Sequence, residues 1–258
     1  MTFSYYPGCT LKTKAKELDG YARRSAEALG IHLEELADWQ CCGGVYTTAK
    51  DEIATKLSSV RALMSAKKQG NKLVTLCSAC HNVIKQTKYE LDHNDDMNFK
   101  ASNYMGCNAR EEADTDVIHF LELLRDVVGF DKLKEKVVNP LKGRKIAAYY
   151  GCLLLRPGKT MQFDNPENPK IIEDFIRALG ATPVIYPMRN ECCGGYITVK
   201  DPEAAKKNSS AVYESAAGFG ADCIITACPL CRYNLIKAES TIPVVYFTEL
   251  LAEALGVK

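Results

Sequence analysis

Gln40-Cys41-Cys42-Gly43-Gly44 returns, with one change, as Glu191-Cys192-Cys193-Gly194-Gly195. The offset of 151 that carries Cys41 onto Cys192 also carries Ser58-Ser59 onto Ser209-Ser210 and Cys77-Ser78-Ala79-Cys80 onto Cys228-Pro229-Leu230-Cys231. Agreement sustained over that distance marks an internal duplication, which governs every later reading of the chain. Upstream, Tyr5-Tyr6-Pro7-Gly8-Cys9-Thr10-Leu11 resembles Tyr149-Tyr150-Gly151-Cys152-Leu153-Leu154 at an offset of 143, so the second unit has gained eight residues before its cysteine pair. Downstream, Val117-Ile118-His119-Phe120-Leu121-Glu122-Leu123-Leu124 matches Val244-Val245-Tyr246-Phe247-Thr248-Glu249-Leu250-Leu251 at an offset of 127. The first unit therefore carries 24 additional residues, placed within about 85–116. Two units follow, 1–130 and 144–258, with 131–143 as the linker; its Asn139-Pro140-Leu141-Lys142-Gly143 has turn chemistry.

Each unit opens with a short apolar run, Thr2 to Tyr6 or Lys145 to Tyr150, that reads as a buried strand delivering a cysteine at its C-terminal end. Helical spacing follows over 14–29 and 168–179, stopped by Gly30 and Gly180 as helix C-caps. Ile31 to Leu36 and Pro183 to Tyr186 fit second strands, and helices are expected at about 47–69 and 201–217. Third strands, Lys72 to Leu76 and Ala221 to Ala227, run into the Cys-x-x-Cys motifs, which begin further helices. The alternation predicts an α/β fold of two Rossmann-like halves, each a parallel sheet flanked by helices, related by a pseudo-twofold axis. The cysteines then collect at the edge where strands end and helices begin, where open α/β sheets bind ligands.

Twelve cysteines need a cause, and ten obey one pattern: C-x(31 or 39)-C-C-G-G-x32-C-x2-C. The sets are Cys9, Cys41, Cys42, Cys77, Cys80 and Cys152, Cys192, Cys193, Cys228, Cys231. Structural zinc takes four ligands, which suits five thiols with an adjacent pair poorly. Disulfides meet the objection of a reducing cytoplasm, and a thiol redox centre needs one Cys-x-x-Cys. Iron–sulfur ligation accommodates the stoichiometry best, with one thiolate bridging irons or an unusual iron count per cage. Gly43, Gly44, Gly194 and Gly195 lack a Cβ, so the backbone can approach inorganic sulfide and point N–H groups at it. Pro229 suits the first position of a helix that puts Cys228 at its N-terminus. Cys107 and Cys223 have no repeat partner and read as structural thiols.

A net charge of +1 gives no electrostatic case for nucleic acid or an anionic membrane. The N-terminal residues lack a basic and apolar leader pattern, and no stretch reaches about 18 uninterrupted apolar residues, so a cytoplasmic chain with no membrane span is expected. Neither GxGxxG nor a Walker motif occurs, and flavin is expected in a partner rather than here. His81, next to Cys80, could donate a proton; Arg156, Lys159, Arg189 and Arg232 could meet a sulfonate or phosphate; Asp92 to Asp96 reads as a solvated loop.

The duplicated cysteine pattern resembles the cysteine-rich CCG domain family, and within it the B-type subunits of the soluble heterodisulfide reductases of methanogens, over most of the chain. The resemblance implies a noncubane [4Fe-4S] cluster on each quintet and cleavage of the coenzyme M–coenzyme B disulfide between the two. It also implies partners: a C-type subunit of heterodisulfide reductase whose cubane clusters donate electrons, and a flavin-containing A-type subunit. The competing expectation is a CCG-type relay subunit in a flavin dehydrogenase or quinone-linked complex. A zinc-stapled scaffold without redox chemistry is the other alternative.

Overall fold

A computed structural model describes residues 1–44 and 52–258. The first half runs β1 (Thr2–Tyr6), α1 (Cys9–Lys12), α2 (Lys16–Ala28), β2 (His32–Glu35), α3 (Glu52–Gln69), β3 (Leu73–Thr75), α4 (Ser78–His93), α5 (Asp95–Met105), α6 (Ala109–Glu112), β4 (Val117–His119) and α7 (Phe120–Leu123). After α8 (Phe130–Lys136), the second half repeats the scheme with β5 (Lys145–Tyr149), α9 (Gly158–Met161), α10 (Ile171–Ala178), β6 (Thr182–Val184), α11 (Pro202–Gly218), β7 (Cys223–Thr226), α12 (Pro229–Lys237), β8 (Val244–Tyr246) and α13 (Phe247–Ala254). Each half holds a four-stranded parallel sheet, in the orders β2-β1-β3-β4 and β6-β5-β7-β8. Two similar α/β halves are thus what the duplication predicts. The expected helix start at 47 lies outside the described residues.

The central strands β3 and β7 are buried at every position, as parallel strands covered on both faces must be. Helix starts follow local capping chemistry. Asp201 accepts from the Ala204 amide at 3.0 Å with Pro202 at the first helical position, and Asn94 accepts from the Met97 amide at 3.1 Å. Asn94 also explains a correction: Asp92 to Asp96 is the junction of two helices rather than a loop. Asp92 sits in the last turn of α4, while Asp95 and Asp96 lie in the first turn of α5, where the helix dipole favours their charge. The inserted stretch is accordingly helical, comprising most of α4 with α5 and α6. A fourth strand in each sheet, β4 or β8, was visible in the sequence only as a repeat match.

The halves interlock. Helix α13 of the second half packs on α2 of the first, where the Thr248 hydroxyl donates to the Leu18 carbonyl at 2.9 Å. In the reverse sense, α7 and α8 pack on α10. The stretch 131–143 holds most of α8, and Leu133 and Leu141 are buried. Among the described residues no helix is long and apolar enough to cross a membrane.

Candidate metal centre

In both halves the cysteines arrive from three directions. Cys9 and Cys152 follow the first strand through glycines in the left-handed region, Gly8 at φ 79° and Gly151 at φ 62°. Cys41-Cys42 and Cys192-Cys193 lie on bends after the second strand. Cys77 and Cys228 occupy the N-cap positions of α4 and α12, and Cys80 and Cys231 the first turns.

All five cysteines of the first half line one cavity of about 140 Å³, to whose wall the second half contributes Leu230 from across the interface. The sulfurs touch in succession. Cys9 lies 3.6 Å from Cys41, Cys41 meets Cys42, and Cys42 lies 3.4 Å from Cys80. Cys80 meets Cys77, Cys77 meets Cys228 of the other half, Cys228 meets Cys231, and Cys231 lies 3.5 Å from Cys193. Cys152 contacts Cys192. Eight thiols therefore form an unbroken string across the two halves. All twelve cysteines are free, and Cys107 and Cys223 are outside this string; burial pushes the Cys223 thiol up to about 11.

Contact between thiols forces them to share protons. Hydrogen bonding from Cys41, then Cys80, holds Cys42 down to about 4, while Cys41 is pushed up. Cys152 likewise holds Cys192 down to about 6 and is itself raised. Which member is depressed differs between the halves, so the proton belongs to the touching group rather than to one residue. Backbone amides assist: those of Gly43 and Gly44 face Cys41 and Cys42, and the Gly194 amide donates to Cys192 Sγ at 3.3 Å. Thiolate is the ligating form.

The donor set fits an iron–sulfur group. It is entirely soft sulfur, and among the described residues no three His, Cys, Asp or Glu side chains converge to share one ion. A cluster would spread its thiolates over several irons, so they need not converge on a single ion. The backbone beside the sulfurs is kept bare. A Cβ at Gly8 would lie 2.9 Å from Cys80 Sγ, and one at Gly151 3.2 Å from Cys231 Sγ. Gly8 and Gly151 were not singled out from the sequence, although the repeated Gly-Cys at 8–9 and 151–152 carried the signal.

Polar ties lock the cages across the interface. The Ser78 hydroxyl and the Tyr246 hydroxyl both donate to the Ala227 carbonyl, at 2.9 and 3.0 Å, and Tyr246 also reaches the Leu76 carbonyl at 2.6 Å. Asn82, buried on α4 just after Cys80, donates its amide to the carbonyls of Leu153 and Arg156, at 2.7 and 2.8 Å, in the loop that begins at Cys152. Asn82→Ala strands two acceptors and is expected to cost about 2 kcal/mol. Denaturant unfolding measures it; an unchanged midpoint would show the tie to be idle.

His81 is wholly buried and does not line the cavity. Its Nδ1 lies 3.1 Å from Thr75 Oγ1, and its Nε2 3.4 Å from Glu122. His119, beside it, donates from Nε2 to the Leu76 carbonyl at 2.8 Å and accepts the Leu121 amide at Nδ1. Burial lowers His81 and brings His119 down to about 4, below its ordinary 6.5; burial raises Glu122. Between pH 6.5 and 4 the unfolded chain binds a proton at position 119 that the folded chain refuses, so stability falls as pH falls, by about 1.4 kcal/mol per pH unit. Glu122 acts with the opposite sign, losing stability as pH rises through the window above its ordinary value. Urea unfolding at pH 5 and 7 should show a shallower slope in His119→Gln than in the parent. Equal slopes would contradict the assignment.

The basic candidates separate. Arg189 is committed to Glu173 at 3.3 Å and Asn168 at 2.6 Å, Arg156 to the Asn190 carbonyl and Glu167, and Lys159 stands over the Tyr89 ring. Arg232, next to Cys231, has a buried Nε with no hydrogen-bond partner among the described residues.

Comparison with known proteins agrees with the geometry. The cysteine-rich domain family CCG matches twice, over residues 3–85 and 146–236. The 8-methylmenaquinol:fumarate reductase membrane anchor subunit of Wolinella succinogenes is 33% identical over 99% of this chain and 92% of its own length. The B-type subunit of the ferredoxin/F420H2-dependent CoB-CoM heterodisulfide reductase of Methanosarcina acetivorans is 26% identical over 98% and 89%. A protein of Archaeoglobus profundus, itself described as similar to that B-type subunit, is 26% identical over 98% and 90%. A crystal structure of a hypothetical protein from Helicobacter pylori shares the fold with a TM-score of 0.72 at 14% identity, covering all of this chain and 49% of that one.

Proposed function

We propose, from the premise that the chain belongs to the cysteine-rich CCG domain family, that it is an iron–sulfur subunit of an oxidoreductase complex, with one cluster on each cysteine quintet. The observation that carries this is the convergence of five cysteines of one half on a single cavity, joined through Cys77 and Cys228 to the cysteines of the other. Clusters held there supply one-electron chemistry. The chain's own part is to hold the thiolates, keep Cβ atoms away at Gly8 and Gly151, and fix the two halves through Ser78, Asn82 and Tyr246.

Two readings of the reaction have distinct support. In the first, the protein relays electrons within a quinol-linked reductase complex; the similarity at 33% identity to one component of a menaquinol:fumarate reductase favours it. In the second, two noncubane [4Fe-4S] clusters reductively cleave the coenzyme M–coenzyme B heterodisulfide or a similar disulfide, with electrons from a cubane-bearing C-type subunit and flavin in an A-type subunit. The heterodisulfide reductase relatives favour that reading. His81, hydrogen-bonded to Thr75 and buried away from the cavity, is not assigned the proton transfer.

Paramagnetic resonance of the anaerobically purified, oxidised protein separates the readings. A new signal on adding a free thiol supports disulfide chemistry. Signals that ignore thiols but respond to a reduced quinol analogue, added to the complex, support the relay. No cluster signal at all would sink both.

A further inference from the structure

Tyr6 and Tyr149 end the first strand of their halves, and both rings are buried to 1% exposure or less. The Tyr6 hydroxyl donates to the Gln40 carbonyl at 2.5 Å, and the Tyr149 hydroxyl to the Glu191 carbonyl at 2.8 Å. Gln40 and Glu191 immediately precede the two Cys-Cys pairs. One bond is thus made twice, at equivalent places in a chain whose halves have diverged elsewhere. Phenylalanine would fill the same space without a buried hydroxyl to satisfy, so the phenol needs a reason.

The same rings border the cages. A Cβ at Gly8 would lie 3.5 Å from Tyr6 Cε1, and one at Gly151 3.7 Å from Tyr149 Cζ.

We infer that Tyr6 and Tyr149 are positioning residues for the two cages: each phenol anchors the backbone entering its Cys-Cys bend and stands as an oriented dipole beside the thiolates. The inference rests on the quintets being cluster ligands. Neither phenol touches a substrate, and each acts through the cysteine pair that follows its carbonyl partner.

The chain contains its own control. Tyr5, just before Tyr6 in β1, and Tyr150, just after β5, are buried as deeply, but their hydroxyls donate to Asp19 and Glu173 rather than to the bends. Removing those hydroxyls should cost stability and nothing else.

The experiment compares Tyr6→Phe, Tyr149→Phe, Tyr5→Phe and Tyr150→Phe in the full chain. Two readouts are taken: cluster paramagnetic spectra with reduction midpoints, and, on the metal-free chain, alkylation of each cysteine mapped by peptide mass. Y6F should move the signal of one cluster and raise alkylation of Cys42 several-fold; Y149F should move the other signal and raise Cys193 alkylation. Y5F and Y150F should lower the thermal midpoint and leave both readouts in place. Unchanged spectra and alkylation in both Y6F and Y149F, or the same changes in the controls, would overturn the inference. Should one variant fail to fold, the other half supplies an independent test. A parent protein without iron and sulfide would strike the cluster reading instead, and the alkylation arm would still judge the tyrosines.

Discussion

Cys231→Ser should strip iron and sulfide from the second half while leaving the first loaded, so that metal per chain falls by about half. Cys80→Ser should do the converse. Serine nearly matches cysteine in shape, so packing around position 231 survives, but a hydroxyl is a hard, weakly acidic donor that ligates iron poorly beside soft thiolates. Cys231 is a demanding place to make the change. It is 7% exposed, touches both Cys193 and Cys228, and faces the bare backbone of Gly151, so no water or spare side chain can take over its bond. On the proposed assignment of one cluster to each quintet, the remaining paramagnetic signal should be that of the intact half. Loss of all iron from either single variant would mean one shared metal group, and full retention would remove the residue from the ligand set.

Gly194→Ala should lower stability by about 2–4 kcal/mol and empty the second cage first. Gly194 has φ +77° and ψ 21°, a left-handed conformation that costs a residue bearing a Cβ about 1 kcal/mol. Space is the larger problem. The added methyl would lie 2.7 Å from Ala205 Cα and 3.1 Å from its Cβ, backbone of α11 that cannot turn aside as a long side chain would. Overpacking of that kind costs about 1–3 kcal/mol more. Relief would shift the bend that carries Cys192 and Cys193, and with it the Gly194 amide that bonds Cys192 Sγ. Gly220 isolates the backbone contribution, since its φ is +80° and nothing lies within 4 Å of an added Cβ. Chemical denaturation should therefore show Gly220→Ala losing about 1 kcal/mol and Gly194→Ala clearly more. Equal losses would show that the close approach to α11 is not felt.

Elements marked by apolar runs and by the duplication were legible before any coordinates. Thr2 to Tyr6 and the Cys-x-x-Cys helix starts follow from local rules of burial and capping. Three-residue strands such as Val117–His119 carry too few alternations to declare themselves, and the polar helix Asp95–Met105 showed its charge more plainly than its period. The cross-interface ties were illegible for a different reason. Asn82 meets Leu153 and Tyr246 meets Leu76 across 71 and 170 residues, and sequence pattern records that a side chain is buried, not whom it meets. Proximity along the chain also misled for Arg189, three residues from Cys192 yet tied to Glu173. The tyrosines were in view as part of the repeat, but only their hydroxyl partners give them a role.

Iron and acid-labile sulfide counted per chain, on anaerobically purified protein, test the central claim most directly. Iron and sulfide in equal amounts, halved by Cys80→Ser or by Cys231→Ser and abolished by the two together, is the expected result. Zinc without sulfide, or thiols oxidised to disulfides with no metal, would contradict it.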